Sequence, residues 1–105
     1  MSDCTVTYVT CASSEEALRI AEVLVSEKLA ACVNIVPGVT SVYFWEGKLC
    51  RDGEQLLIVK STREVLERLT KRVKELHSYA VPEVVSLPVV GGSAEYLQWV
   101  EGSVR

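Results

Sequence analysis

Three side chains that could bind a transition metal, Cys11, His77 and Glu83, lie far apart in the 105-residue sequence. Cys11 precedes a predicted helix, whose positive dipole end stabilises a thiolate. His77 is the only histidine and ends a second predicted helix, and Glu83 begins a predicted strand. A thiolate and an imidazole suit Cu(I) or Zn(II), and a carboxylate could complete a three-ligand set. Each residue also has a structural alternative: a buried thiol, a helix cap and a solvated carboxylate.

Alternating strand and helix patterns predict that these three residues meet at one rim of a sheet. The order βαββαβ, with an additional C-terminal helix, predicts one α+β domain over 1–105 with the ferredoxin-like sandwich fold. In this topology the end of strand 1, the end of helix 2, the start of strand 4 and the hairpin tip share a rim. The predicted strands are 4–11, 31–45, 54–62 and 83–90, and the helices are about 14–29, a segment up to Leu76, and 93–102.

Serine and glutamate three residues apart mark the predicted starts of two helices. Ser13 with Glu16, and Ser61 with Glu64, have the spacing of a capping box, in which each side chain hydrogen-bonds the other residue's backbone N–H. Ser93 follows Gly91-Gly92 and is expected to cap the last helix. A glycine pair before a helix could also bind a small anion.

The segment 31–45 predicts a long strand, which Pro37-Gly38 should bend or bulge. The turn after it begins at Glu46-Gly47-Lys48, or its tip lies as late as Asp52-Gly53. Tyr43, Phe44 and Trp45 are bulky for a hairpin and suit a core or subunit contact. A long aromatic edge strand and the apolar tail EYLQWV predict docking on further copies of the chain.

Composition excludes several classes of function. The net charge of −3 and the lack of a basic block argue against nucleic-acid binding, and no apolar run approaches membrane-spanning length. The four cysteines form no CxxC pair and follow no secretory signal, so reduced thiols and a cytoplasmic location are expected. Cys4, Cys32 and Cys50 are expected to be small buried hydrophobic residues.

Enzyme signatures are scarce. The sequence has none of the patterns GxxxxGK[ST], HExxH, GxSxG or GxGxxG. An acylphosphatase would need an arginine after strand 1, where CASSEE offers none, and a thiol enzyme would need His77 as the base beside Cys11. We therefore expect a protein that is not an enzyme.

The segments KLAACVNIVPGVTSVYFWEGKL (28–49) and LHSYAVPEVVSLPV (76–89) closely resemble the CutA divalent-cation-tolerance family. The resemblance runs from Val9 to about Val100. It implies a ferredoxin-like subunit in a homotrimer similar to PII signalling proteins, with a role in tolerance of copper and other divalent ions. The alternative function is a PII-like signalling module that binds a small anion or a partner protein between subunits.

The resemblance also assigns site residues. Cys11 falls on the family's candidate metal cysteine, His77 on the histidine of its His-Pro-Tyr motif, and Glu83 on the glutamate of its Pro-Glu motif. Copper, as Cu(I) or Cu(II), is the expected ion, zinc or another divalent ion is the alternative, and none is expected to be required for folding. Two residues depart from the family pattern. Ser78 replaces a usual proline, and Leu76 replaces a second histidine that some members have.

Overall fold

A four-stranded antiparallel sheet with the strand order β2-β3-β1-β4 forms the centre of the molecule. The computed structural model describes residues 3–105. The elements are β1 (Cys4–Cys11), α1 (Ser14–Ser26), β2 (Cys32–Trp45), β3 (Lys48–Thr62), a 3₁₀ turn (Arg63–Val65), α2 (Leu66–Leu76), β4 (Val84–Pro88) and α3 (Ala94–Ser103). This order and pairing confirm the ferredoxin-like prediction, and the bounds of β1 agree with the prediction residue for residue.

Helices α1 and α2 cover one face of the sheet and enclose the core. Alternate residues of β1 and β3, including Val9 and Leu57, meet apolar side chains such as Ile20, Leu24 and Leu69, all fully buried. Burying each of these side chains contributes about 1.5–3 kcal/mol. The core therefore holds the ends of β1 and α2 in fixed positions at the rim.

Two helix and strand predictions need correction at their ends. Helix α1 ends at Ser26 rather than near residue 29, because Lys28 adopts a φ of 65° and the N–H groups of Leu29 and Ala30 bond back to the carbonyl of Leu24. Strand β4 is shorter than predicted, since only Val84–Pro88 pairs with β1.

Of the three predicted helix caps, two are correct and one is wrong. Ser93 caps α3, since its Oγ accepts from the N–H of Tyr96 at 3.4 Å. The N–H of Glu16 donates to Ser13 Oγ at 3.2 Å, as predicted. Ser61 instead belongs to β3, where its hydroxyl donates to the carbonyl of Leu29 at 2.7 Å, so it is not available to cap α2. The 3₁₀ turn that leads into α2 begins after Thr62. Thr62 holds the N-cap position, but its side chain makes no capping hydrogen bond.

Strands β2 and β3 extend beyond the sheet as a two-stranded ribbon over residues 39–54, which we call the hairpin arm. A register shift between Val36 and Val39 confirms the bulge predicted at Pro37-Gly38. Glu46 and Gly47 form the tip, with φ angles of 50° and 78°, as in the two-residue hairpin turns of type I′. Strand β3 thus starts at Lys48, six residues earlier than predicted, because an exposed ribbon tolerates the polar and glycine residues 51–53.

The other face of the sheet is only partly covered. Helix α3 packs there through Val100, which contacts Cys4 and Ala31. Beyond it the apolar side chains Val36, Val85 and Leu87 are exposed, and we call this region the open sheet face. Within residues 3–105 no helix has the length and apolar character needed to cross a bilayer.

The four cysteines lie in two environments. Cys4 is buried, as predicted, and Cys11 is buried as well. Cys32 and Cys50 are only partly buried, because they lie on the open sheet face and on the hairpin arm rather than in the core.

Candidate functional site

The ends of β1 and α2 and the loop before β4 meet at one rim, as the predicted topology requires. His77 Nε2 lies 2.7 Å from the carbonyl oxygen of Thr10, and the Thr10 hydroxyl donates to Glu83 Oε1 at 3.5 Å. Thr10 precedes Cys11, so β1 brings His77 and Glu83 close to the position of Cys11. Glu83 is exposed, whereas the other two residues are buried.

His77 is held by hydrogen bonds at both ring nitrogens. The N–H of Tyr79 donates to Nδ1 at 3.1 Å, which leaves the hydrogen on Nε2 to be donated to Thr10. The side chain has no exposed surface, and its ring lies 4.7 Å from that of Tyr79. A metal ion could bind either nitrogen only after one of these bonds is broken.

Glu16 ties the start of α1 to the end of α2. Its carboxylate accepts from the N–H of Ser78 at 2.7 Å and from the Ser78 hydroxyl at 3.1 Å, and it lies 3.6 Å from His77 Nδ1. Burial would raise the pKa of Glu16, but the two hydrogen bonds and the nearby His77 outweigh it and lower that pKa. A proline at position 78 would have neither a backbone N–H nor a hydroxyl to donate. The contact with Glu16 therefore exists because this chain has serine where the family pattern has proline.

Cys11 lies in the environment of its structural alternative, a buried thiol. Its side chain is completely buried, and burial, reinforced by the charges of Glu16 and Glu54, raises the pKa of the thiol to about 11. These effects exceed any stabilisation of the thiolate by the start of α1. At neutral pH and without a metal ion the Cys11 thiol is therefore protonated, and a metal ion would have to displace its proton.

The three predicted ligands do not form a metal site as they stand. In the part of the chain that the structure describes, no three histidine, cysteine, aspartate or glutamate residues are grouped so that they could hold an ion. Cys11 is protonated, both nitrogens of His77 are occupied, and only Glu83 is accessible. The assignment of Cys11, His77 and Glu83 as ligands stays a prediction.

A cleft of about 670 Å³ opens beside this rim, between the hairpin arm and the loop that joins α2 to β4. Among the described residues, those that line it include no lysine, arginine or histidine. Its polar side chains include Thr10, Tyr43, Asp52, Glu54, Tyr79 and Glu83, so its walls carry three carboxylates. We call it the acidic cleft.

Tyrosine hydroxyls hold two of these carboxylates. Tyr79 Oη donates to Glu54 Oε2 at 2.8 Å, and Tyr43 Oη donates to Asp52 Oδ2. The hydrogen bond to Asp52 raises the pKa of Tyr43 to about 12, and burial with the hydrogen bond to Glu54 raises the pKa of Tyr79. Both tyrosines therefore remain neutral donors at physiological pH.

The sequence prediction missed most of the acidic cleft. The sequence predicts a core or subunit contact for Tyr43 and only an alternative turn position for Asp52. Only the correct register of β3 against β2 shows that Tyr43 and Asp52 are neighbours across the arm. Tyr79 could have been noticed from its place in the segment LHSYAVPE, which also contains His77 and Glu83.

The sequence profile of the CutA1 divalent ion tolerance protein family matches residues 5–103. The chain belongs to this family. It is 53% identical over 100 residues to the chloroplastic CutA 1 of Oryza sativa subsp. japonica, an alignment that covers 95% of this chain but 56% of that protein. The chain thus spans little more than half of that relative.

Solved CutA structures have the same fold. The divalent cation tolerance protein (Cut A1) from Thermus thermophilus matches with a TM-score of 0.95 and 49% identity, covering 97% of this chain and 99% of that one. The periplasmic divalent cation tolerance protein CutA from Archaeoglobus fulgidus matches with a TM-score of 0.93 and 40% identity, covering 97% of this chain and 99% of that one. The CutA fold therefore accounts for almost the whole chain.

These relatives correct the predicted location. The rice CutA is named chloroplastic and the Archaeoglobus CutA periplasmic, so the cytoplasmic location expected from the sequence is not supported. Composition and cysteine spacing do not distinguish these compartments. The family and relative names describe tolerance of divalent ions rather than a catalysed reaction.

Proposed function

We propose that the protein binds divalent metal ions, or responds to them, as a homotrimer, and is not an enzyme. The observation that carries the proposal is the acidic cleft, whose walls have three carboxylates and no basic side chain among the described residues. Membership of a divalent ion tolerance family supports the same class of ligand. A small anion, the ligand of the alternative PII-like function, would be repelled by this surface.

The metal is placed between subunits in this proposal. No single chain groups three ligands within residues 3–105, and Glu83 is the exposed member of the predicted set. Glu83 is therefore this chain's ligand, and a neighbouring copy would supply others. An oxygen ligand favours Cu(II) or Zn(II) over Cu(I), which prefers the sulfur that Cys11 keeps buried and protonated.

Exposed apolar surface supports the trimer. Phe44 and Trp45 on the hairpin arm are 72% and 56% exposed, and Trp99 on α3 is 50% exposed. The open sheet face also exposes apolar side chains. Apolar surface of this extent on a small chain is typical of an interface. Copies of the chain could bury it by docking the arm of one subunit on the sheet of the next.

Isothermal titration of the full chain with Cu(II), Zn(II), Mg(II) and inorganic phosphate tests the proposed ligand. We expect Cu(II) or Zn(II) to bind and phosphate not to bind. Glu83→Gln should weaken metal binding, whereas Glu67→Gln, an equal charge change on the exposed surface of α2, should leave it unchanged. The double variant Cys11→Ser with His77→Ala tests the predicted soft ligands, and loss of binding in it alone would contradict the assignment to Glu83.

Light scattering tests the assembly. A mass near three times 11.6 kDa is expected at micromolar concentration, and a mass near one chain would refute the trimer. Chelation should leave the melting temperature almost unchanged, because the core is complete without metal and weakly bound ions add little stability. A large fall in melting temperature on chelation would instead indicate a structural metal.

A further inference from the structure

The only histidine of the chain, His77, is hydrogen-bonded to a residue of β1 that is hydrogen-bonded in turn to Glu83. We propose that His77 is not a metal ligand but a positioning residue, which holds the carboxylate of Glu83 in place through Thr10. The proposal rests on the proposed function, because it takes Glu83 as the residue that binds the ion. It differs from the family resemblance, which implies that His77 binds the ion directly.

Both ring nitrogens of His77 already have partners inside the protein. The backbone N–H of Tyr79 donates to Nδ1 at 3.1 Å, so the ring hydrogen lies on Nε2 and is donated to the carbonyl oxygen of Thr10 at 2.7 Å. An ion at Nδ1 would displace the Tyr79 N–H, and an ion at Nε2 would displace the ring hydrogen. Either ion would therefore leave a backbone group without its hydrogen-bond partner, which is costly inside a protein.

The surroundings of His77 leave its ring closed to solvent. The side chain has no exposed surface, and the ring of Tyr79 lies against it with the two ring centres 4.7 Å apart. The carboxylate of Glu16 lies 3.6 Å from Nδ1, but within residues 3–105 no three metal-binding side chains are grouped together. Burial with hydrogen bonds at both nitrogens is what a histidine that maintains a structure requires.

Thr10 connects His77 to Glu83. Its carbonyl oxygen accepts from His77, and its hydroxyl donates to Glu83 Oε1 at 3.5 Å, which is a long hydrogen bond. Thr10 is itself buried and pairs with Leu56 in the sheet, so its hydroxyl is held at a fixed point. Glu83 is exposed, and this bond limits the orientations of its carboxylate. A carboxylate that is oriented in advance loses less conformational entropy when it binds an ion.

Nitrogen NMR of the untagged full chain, carrying isotope-labelled histidine, tests whether His77 is a ligand. A single histidine gives one pair of ring signals. At neutral pH we expect the Nε2–H tautomer, and both signals should keep their positions during titration with diamagnetic Zn(II), while calorimetry records binding. The Nδ1–H tautomer in the free chain, or a shift that marks coordination at either nitrogen, would overturn the proposal. If only Cu(II) binds, coupling to the labelled nitrogens in its EPR spectrum would overturn it equally.

Variants of Thr10 test the link to Glu83. Thr10→Val removes the hydroxyl and keeps the carbonyl that accepts from His77, so it should weaken metal binding about fivefold without moving the His77 signals. Thr10→Ser restores a hydroxyl and should recover most of this loss. Thr70→Val makes the same substitution on α2 and should have no effect. Equal affinities of Thr10→Val and Thr70→Val would refute the link.

Variants of His77 separate positioning from ligation. Glutamine can place an amide N–H where Nε2 donates, but it has no imidazole nitrogen for the ion. His77→Gln should therefore bind the metal more tightly than His77→Ala, which loses the bond to Thr10. If His77→Gln binds no better than His77→Ala while its circular dichroism matches that of the parent, the proposal is wrong.

Failure of this proposal can be distinguished from failure of the proposed function. If the parent binds neither Zn(II) nor Cu(II), the metal-binding function fails, and the positioning role of His77 fails with it. If the parent binds metal and the signals of His77 report coordination, only the positioning role fails. Binding with unchanged ring signals, together with weaker binding by Thr10→Val, supports both.

Discussion

Replacing Glu16 should lower the free energy of unfolding, because this carboxylate joins α1 to the end of α2. It accepts hydrogen bonds of 2.7 and 3.1 Å from Ser78. Hydrogen bonds to a charged group contribute about 1.5–3 kcal/mol each when they are well shielded, but Ser78 is exposed and water would replace part of the interaction. We expect a loss of about 2 kcal/mol for Glu16→Ala and about 1 kcal/mol for Glu16→Gln, which keeps an acceptor oxygen.

The assay is urea unfolding monitored by circular dichroism at one fixed protein concentration, since assembly would make stability concentration-dependent. Glu15→Gln is the control, because this neighbouring residue is exposed and carries the same charge. Ser78→Ala removes the hydroxyl donor alone. The double variant Glu16→Gln with Ser78→Ala should then be less destabilised than the sum of the single variants.

The contribution of Glu16 should also depend on pH. Its folded pKa is lowered from the ordinary value of 4.5, so the unfolded chain binds the proton more readily. The stabilisation is therefore complete above about pH 4.5 and is lost as the pH falls through the lower folded pKa. The difference between the parent and Glu16→Gln should shrink in acid. Equal stability of Glu16→Gln and Glu15→Gln at pH 7 would refute the reasoning.

Two further predictions concern Cys11 and the hairpin tip. Iodoacetamide at pH 8 should modify the partly exposed Cys32 and Cys50 before Cys11, because burial raises the pKa of the Cys11 thiol to about 11. Peptide mass spectrometry can measure the order of labelling. Preferential labelling of Cys11 would contradict its burial. Gly47→Ala should destabilise the arm by about 1 kcal/mol, because Gly47 has a φ of 78°, which alanine rarely adopts. Chemical denaturation would measure this loss of stability. No change would mean that the turn adopts another conformation without cost.

The sequence predicts features that depend on local chemistry. Alternation and β-branched residues predict β1 correctly, the cap at Ser13 follows from its side chain, and Pro37-Gly38 marks the bulge. Each of these signals acts within a few residues. The rim was also predictable, because the order of elements fixes which ends of the strands and helices lie together.

Features that depend on tertiary contacts were not predictable in the same way. Ser61 has the spacing of a helix cap, but its partner is the distant carbonyl of Leu29. The position of Cys11 before α1 favours a thiolate, yet burial raises the pKa of the thiol and keeps it protonated. The acidic cleft forms from β1, the arm and the loop before β4, and no local pattern contains all of them.

The register shift at the base of the hairpin arm divides β2 and β3 into two parts of unequal local stability. Below it the strands belong to the sheet and rest on the core, whereas above it residues 39–54 form a ribbon whose hydrogen bonds join only its own two strands. An isolated two-stranded ribbon is at best marginally stable in water. In a single chain its amide hydrogens should exchange through local opening, well before those of β1. Slow exchange in the arm would therefore report directly that another molecule covers it.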